Sequence, residues 1–177
     1  MSNYTPSQID AGGIEILKAQ LKQYPYLVYC GGSSLGPLEG APTVSPNVET
    51  KDTVFYETNG QAVGSVIIKN EVNVTINTRR VDYAMALLHD FVEGDDVYAS
   101  SRSKELVFVP ITSDTTQPVI TFPAAYLQPG LDYKPGENAD PSVVALSFVC
   151  KPDSSGHPWH KGDVPVTSGG VTSGGQV

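Results

Sequence analysis

The chain has 177 residues, a formal net charge of −8 and a charged fraction of 17%, below the usual quarter. That length suits one domain with a sizeable core, and 17 Gly, 14 Pro and recurrent β-branched residues point to a β-rich fold with many turns. No basic patch is present to grip phosphates, which disfavours ordinary nucleic-acid binding, and no apolar run approaches a membrane span.

The opening residues MSNYTPSQID lack the basic and apolar regions of a secretion signal, so synthesis and folding in a cytoplasm are expected. Ile9, Ile14, Leu17 and Leu21 predict a helix over Ser7 to Gln23, interrupted at Gly12-Gly13. Tyr26 to Cys30 (YLVYC) is a short β-prone run. Gly31 to Asn47 (GGSSLGPLEGAPTVSPN) has no periodicity and reads as a long loop, either a contact element or a surface excursion.

Thr53 to Thr58 (TVFYET) reads as a strand. Asn59-Gly60 is the strongest hairpin signal in the chain, and Gln61 to Ile68 supplies the partner. Lys69-Asn70 either turns the chain again or interrupts a longer strand. Val72, Val74 and Ile76 then alternate with Glu71, Asn73, Thr75 and Asn77, giving one apolar and one polar face. Val81, Ala84, Met85, Leu88, Phe91 and Val92 form a single helical stripe, predicting a helix over about 81–93 that covers one face of a sheet. Asp82 or Thr78 is placed to cap its start and Gly94 to end it.

Glu105 to Ile111 and Pro118 to Tyr126 read as strands whose prolines suit edges or strand ends. LQPGLDYKPGENADP is a second turn-rich loop. Ser142 to Cys150 is apolar throughout, which suggests burial on both faces. The remainder has little core potential and repeats VTSGG, too few copies for a solenoid. Three divisions follow: 1–50, an N-terminal segment with a contact loop; 51–150, a β-rich core with the helix; 151–177, a C-terminal extension.

Little in this chain has the pattern of site chemistry. His157 and His160 stand beside Trp159, but a third metal ligand at familiar spacing is missing. His89 falls near the solvent side of the helix. Glu93, Asp95 and Asp96 lack the spacing of a calcium loop, and Gly31-Gly32-Ser33-Ser34 lacks the lysine of a phosphate loop. Cys30 and Cys150 are too few for a disulfide framework and read as two partly buried thiols, with a bridge between them possible. No cofactor is implied, and nothing argues for an enzyme. Acidic charge, long loops and a β-rich body instead suit a protein completed by copies of itself.

Two stretches carry a resemblance: GSVIIKNEVNVTINTRRVDYAMALL, and ITFPAAYLQPGLDYKPGENADPSVVALSFVCKPDSSGHPW. In their order of elements they resemble the tail tube (major tail) proteins of tailed bacteriophages, over roughly Lys51 to Trp159. The resemblance implies a mainly β fold, a sandwich or barrel with one flanking helix, long loops and terminal extensions. It implies hexameric rings with a shared inner barrel, stacked into a virion tail tube through which DNA leaves. Implied partners are other copies, a tape-measure protein, sheath or tail-terminator proteins, and passing double-stranded DNA that is not specifically bound; no membrane anchor is implied. Glu71, Asn73, Thr75 and Asn77 would face the lumen. Arg79, Arg80 and Trp159 would contact neighbouring subunits, and Met1 to Gln23, Gly31 to Asn47 and Lys151 to Val177 would lock rings. Two other readings stand beside it. One is a different virion protein, such as a head-decoration or fibre-associated protein. The other is a small β-rich binding module or enzyme with a pocket near Trp159, Tyr126 and Tyr133.

Overall fold

A computed structural model of the chain describes residues 26–55, 57, 59–110 and 118–162. The expected helix over Ser7 to Gln23 and the VTSGG repeat lie outside these residues. The described chain is mainly β: β1 (Tyr26–Cys30), β2 (Ser33–Ser34), β3 (Thr43–Val54), β4 (Ala62–Thr78), β5 (Lys104–Pro110), β6 (Val119–Leu127), β7 (Asp132–Lys134), β8 (Val143–Cys150) and β9 (His160–Gly162). One helix, α1 (Val81–His89), follows β4, and a 3-10 turn, Ser100–Arg102, precedes β5.

The strands form one sheet in the order β2-β1-β5-β6-β8-β4-β3, with β7 beside β8 and β9 beside β6. All the pairings are antiparallel. The segment after β2 crosses to the far end of this order. There Leu38 bridges Thr78, Glu39 N–H donates to Asn77 O, and Arg79 N–H donates to Pro37 O. The sheet thereby curls around a core that includes Val28, Leu35, Val74, Ile76, Leu106, Phe122, Leu146 and Phe148. Each such large side chain, fully buried, contributes about 1.5–3 kcal/mol of transfer free energy.

The crossover depends on two residues. Thr78 is fully buried, and its hydroxyl donates to Leu35 O while accepting Arg80 N–H. Gly36 has φ +76, and a Cβ there would stand 2.9 Å from Arg80 Cβ. Neither the backbone conformation nor the space accepts a side chain.

The alternation in β4 emerges as read. Val72, Val74, Ile76 and Thr78 are buried, whereas Thr75 and Asn77 are exposed. Lys69-Asn70 does not turn the chain; Ala62 to Thr78 is one strand of 17 residues. Asn59 (φ 54) and Gly60 (φ 80) form the turn with both residues left-handed, the geometry that Asn-Gly supplies.

Several expectations change. β3 begins at Thr43, inside the expected loop, and Thr43 to Asn47 pair with Thr75 to Glu71. Pro46 fits because β3 is an edge strand and a missing N–H costs no ladder bond on its open side. Pro123 lies within β6, not at an end. It falls where the β5–β6 register shifts and where β6 exchanges β9 for β8 as its neighbour, so the ladder is already broken there. β8 is buried chiefly on one face: Val144, Leu146, Phe148 and Cys150 are buried there, while on the other face Val143 is buried but Ser147 is exposed. The helix stops at His89 rather than 93. Its N-cap is Arg80 with no side-chain cap, and Thr78 serves the Arg80 N–H from outside the helix. After His89, Asp95 Oδ2 accepts Val92 N–H at 3.0 Å, and Arg102 bridges Asp90 (3.3 Å) and Asp95 (2.6 Å). These bonds satisfy the chain in a turn, so Phe91 packs against the core and Val92 points to solvent.

Candidate assembly surfaces

The outward face of β4 carries the polar row. Glu71 and Asn73 are half-buried, and Thr75 and Asn77 are exposed. Beside them lie Asn47, Ser45 and Thr43 on β3 and Val149, Ser147 and Ala145 on β8. Asn47 Nδ2 donates to Glu71 Oε2 at 3.3 Å, and Lys69 lies 3.2 Å from Glu49 and 3.9 Å from Glu71. The row is therefore chiefly uncharged, and its carboxylates are tied to one lysine.

Beyond Glu49 the hairpin leaves the core. Thr50 to Val54 and Ala62 to Ile68 are exposed throughout. Five residues of strand project by about 17 Å. Val54, Val63, Val66, Ile67 and Ile68 are each more than half exposed. A register shift between Glu49 and Thr50 inserts one additional residue into β4. Thr50 then pairs with Ile67 and Lys51 with Val66, so the apolar residues occupy both sides of the ribbon. Valine and isoleucine favour the strand, but here most of their surface stays exposed. The sequence signal is the run Val66 to Ile68, apolar without alternation and free of charge. It reads as a strand but does not reveal that both faces are open.

A third surface lies beside α1. Leu87, Phe91 and Leu127, with Arg102 and Lys104, line a groove of about 310 Å³. The Arg102 guanidinium stacks 4.3 Å from the Phe91 ring centroid while holding Asp90 and Asp95, which fixes the groove wall. Lys104 has no carboxylate partner among the described residues. Nothing in the linear sequence joins these residues, which come from a helix, a turn and two strands.

The expected contact residues are dispersed. Arg80 is engaged within the chain: its Nη1 donates to Ser34 O and its guanidinium stacks on Tyr83 at 4.4 Å. Arg79 stands 4.0 Å from Glu39, both side chains exposed. Trp159 is half exposed on the loop between β8 and β9. That loop closes on Asp153, whose Oδ1 accepts Ser155 N–H (2.9 Å), the Ser155 hydroxyl and His157 N–H (3.3 Å). His160 Nε2 meets Asp153 Oδ2 at 2.6 Å. The Ser155 hydroxyl first, then His160, hold the Asp153 carboxyl well below the usual carboxylate range. Tyr126 and Tyr133 do not form one pocket with Trp159 among the described contacts: Tyr126 stacks on Tyr98, and Tyr133 donates to Ser142.

Cys30 and Cys150 are both free and buried. Burial pushes the Cys150 thiol up to about 12 and raises Cys30, the latter partly offset by Lys104. Among the described residues no three side chains are grouped to hold a metal ion, and no helix is long and apolar enough to cross a membrane.

No known protein family and no curated protein matches the chain by sequence. Several solved structures match it in fold, among them these two. One is the cap of the anti-feeding prophage, a tube-terminating cap, with a TM-score of 0.51 at 12% identity, covering 81% of this chain and 94% of the other. The second belongs to the sheath–tube complex of the PVC extracellular contractile injection system in its extended state, with a TM-score of 0.52 at 13% identity, covering 89% of this chain and 100% of the other. The chain shares its fold with components of contractile injection systems.

Proposed function

We propose that the chain is a tail tube subunit: copies join in hexameric rings that stack into a conduit of a phage tail or a tail-like particle. The observation that supports this most is the β3–β4 arm, a two-stranded ribbon with exposed apolar side chains on both faces. Such an element is an aggregation hazard unless a partner completes it. A contact from the arm of one copy to the body of another is head-to-tail, and repeated along an axis it builds stacks.

In this reading the polar row of β4 faces the conduit. Asn73, Thr75 and Asn77 bear no charge, and Lys69 on the same face is paired with Glu49 and Glu71, so the row offers phosphates no unpaired cation. A chain of net charge −8, repeated around rings, adds a repulsive field for DNA. The open edge of β3 offers backbone groups to an adjacent subunit, and Arg79 and Trp159 flank the body for further contacts. Tape-measure, sheath and terminator proteins are the partners such a tube takes. The chain itself breaks no bonds and needs no cofactor. The fold likeness to a tube-terminating cap favours a second reading, a subunit that closes the end of a tube.

Changing Asn73 and Asn77 together to Lys tests the conduit face. Both lie outside the core, so the variant is expected to fold and assemble into tails, but to deliver DNA poorly because lysines now bind phosphates. Normal infectivity with correctly assembled tails would remove these residues from the conduit. Micrographs showing closed single rings that bind tube ends, and never stacks, would favour the cap.

A further inference from the structure

We infer that the β3–β4 arm of one copy seats in the groove beside α1 of a second copy, with Ile67 between Leu87 and Phe91 and Asp52 against Lys104. This rests on the tube reading above and specifies its contact. The register pairs Thr50 with Ile67 and Asp52 with Ser65, which sets Ile67 and Asp52 on one side of the ribbon. Ile67 is 60% exposed, so its own chain does not cover it.

The groove offers the complementary pair. Its walls are apolar at Leu87 and Phe91, and its volume of about 310 Å³ admits branched aliphatic side chains. Its cation, Lys104, lacks a carboxylate among the described residues, and Asp52 likewise lacks a cation. Arg102, pinned by Asp90 and Asp95, holds the Phe91 wall in place before anything enters, which limits the ordering cost of docking. Arm and groove are different surfaces of the same chain. The contact is therefore heterologous, and each added copy presents a new arm and a new groove.

Charge exchange tests this in the full-length protein, with assembly followed by sedimentation and negative-stain microscopy. Asp52→Lys and Lys104→Asp each place like charges together, and each is expected to raise the concentration needed for stacking by about tenfold. The double variant restores opposite charges and should return to within about twofold of the wild type. Single variants that stack normally, or a double variant no better than the worse single, overturn the contact. Should Lys104→Asp fail to fold, Ile67→Cys with Leu87→Cys decides: oxidation is expected to link neighbouring copies in a ladder. Stacks that form without that crosslink overturn the inference and leave the tube reading standing. Wild-type protein that never associates overturns both.

Discussion

Asp153 shows how one side chain shapes a whole connection. β8 and β9 lie along the same side of β6, and the chain between them leaves the sheet and returns. Asp153 gathers the donors of that excursion: two from Ser155, one from the His157 backbone and one from His160. Its carboxyl is held well below the usual range, so its contribution is complete above the ordinary Asp value and is lost as pH falls through the lowered one. Asp153→Ala should therefore lower the melting temperature throughout the range from neutral pH down to about pH 4, with the gap closing only in stronger acid. A gap that already closes between about pH 7 and pH 5 would contradict this sign. Residue identities alone showed an Asp-Ser-Ser-Gly turn and two nearby histidines. They did not show that the carboxylate joins them, because that depends on where β9 docks. Arg80 teaches the same lesson. As sequence it is a cation available to a neighbour, but Ser34 O and the Tyr83 ring already hold it.

Elements were legible in proportion to how local their causes are. The Asn59-Gly60 turn and the alternation from Val72 to Ile76 were readable, since left-handed backbone and a half-buried strand leave marks at fixed spacing. β3 was half hidden. Its first residues are polar and interrupted by Pro46, features that only an edge position tolerates. The helix end was misplaced because Phe91 and Val92 continue the stripe in sequence, while the turn anchored by Arg102 decides the backbone. In sequence the projecting arm reads as an ordinary strand pair, since exposure on both faces is a property of the fold around it. Val66→Asn with Ile67→Asn tests what the arm does. Both positions are exposed, so monomer stability should change by less than about 0.5 kcal/mol, while self-association weakens sharply. Loss of monomer stability on thermal unfolding, or unaltered association in sedimentation, would argue that the arm is not a contact element.

The described residues form a curled sheet with one helix, a largely exposed hairpin arm, a neutral polar strip and a groove carrying a lysine without a carboxylate partner among them. In the proposed tube, each of the last three is completed by a repeated neighbour. The fold class was readable from composition and strand spacing. The resemblance to tail tubes is what extends it to the proposed assembly; the fold itself is shared with contractile injection system components. What sequence could not supply was the pairing of surfaces between copies, because complementarity between an arm and a groove has no linear signature. The most direct measurement is cryo-electron microscopy of the purified full-length chain at high concentration. The account predicts hexameric rings stacked into hollow tubes, with Asn73, Thr75 and Asn77 facing the axis and the β3–β4 arm crossing between rings. A protein that stays monomeric at every concentration, or an assembly whose axis faces another side of the sheet, would contradict it.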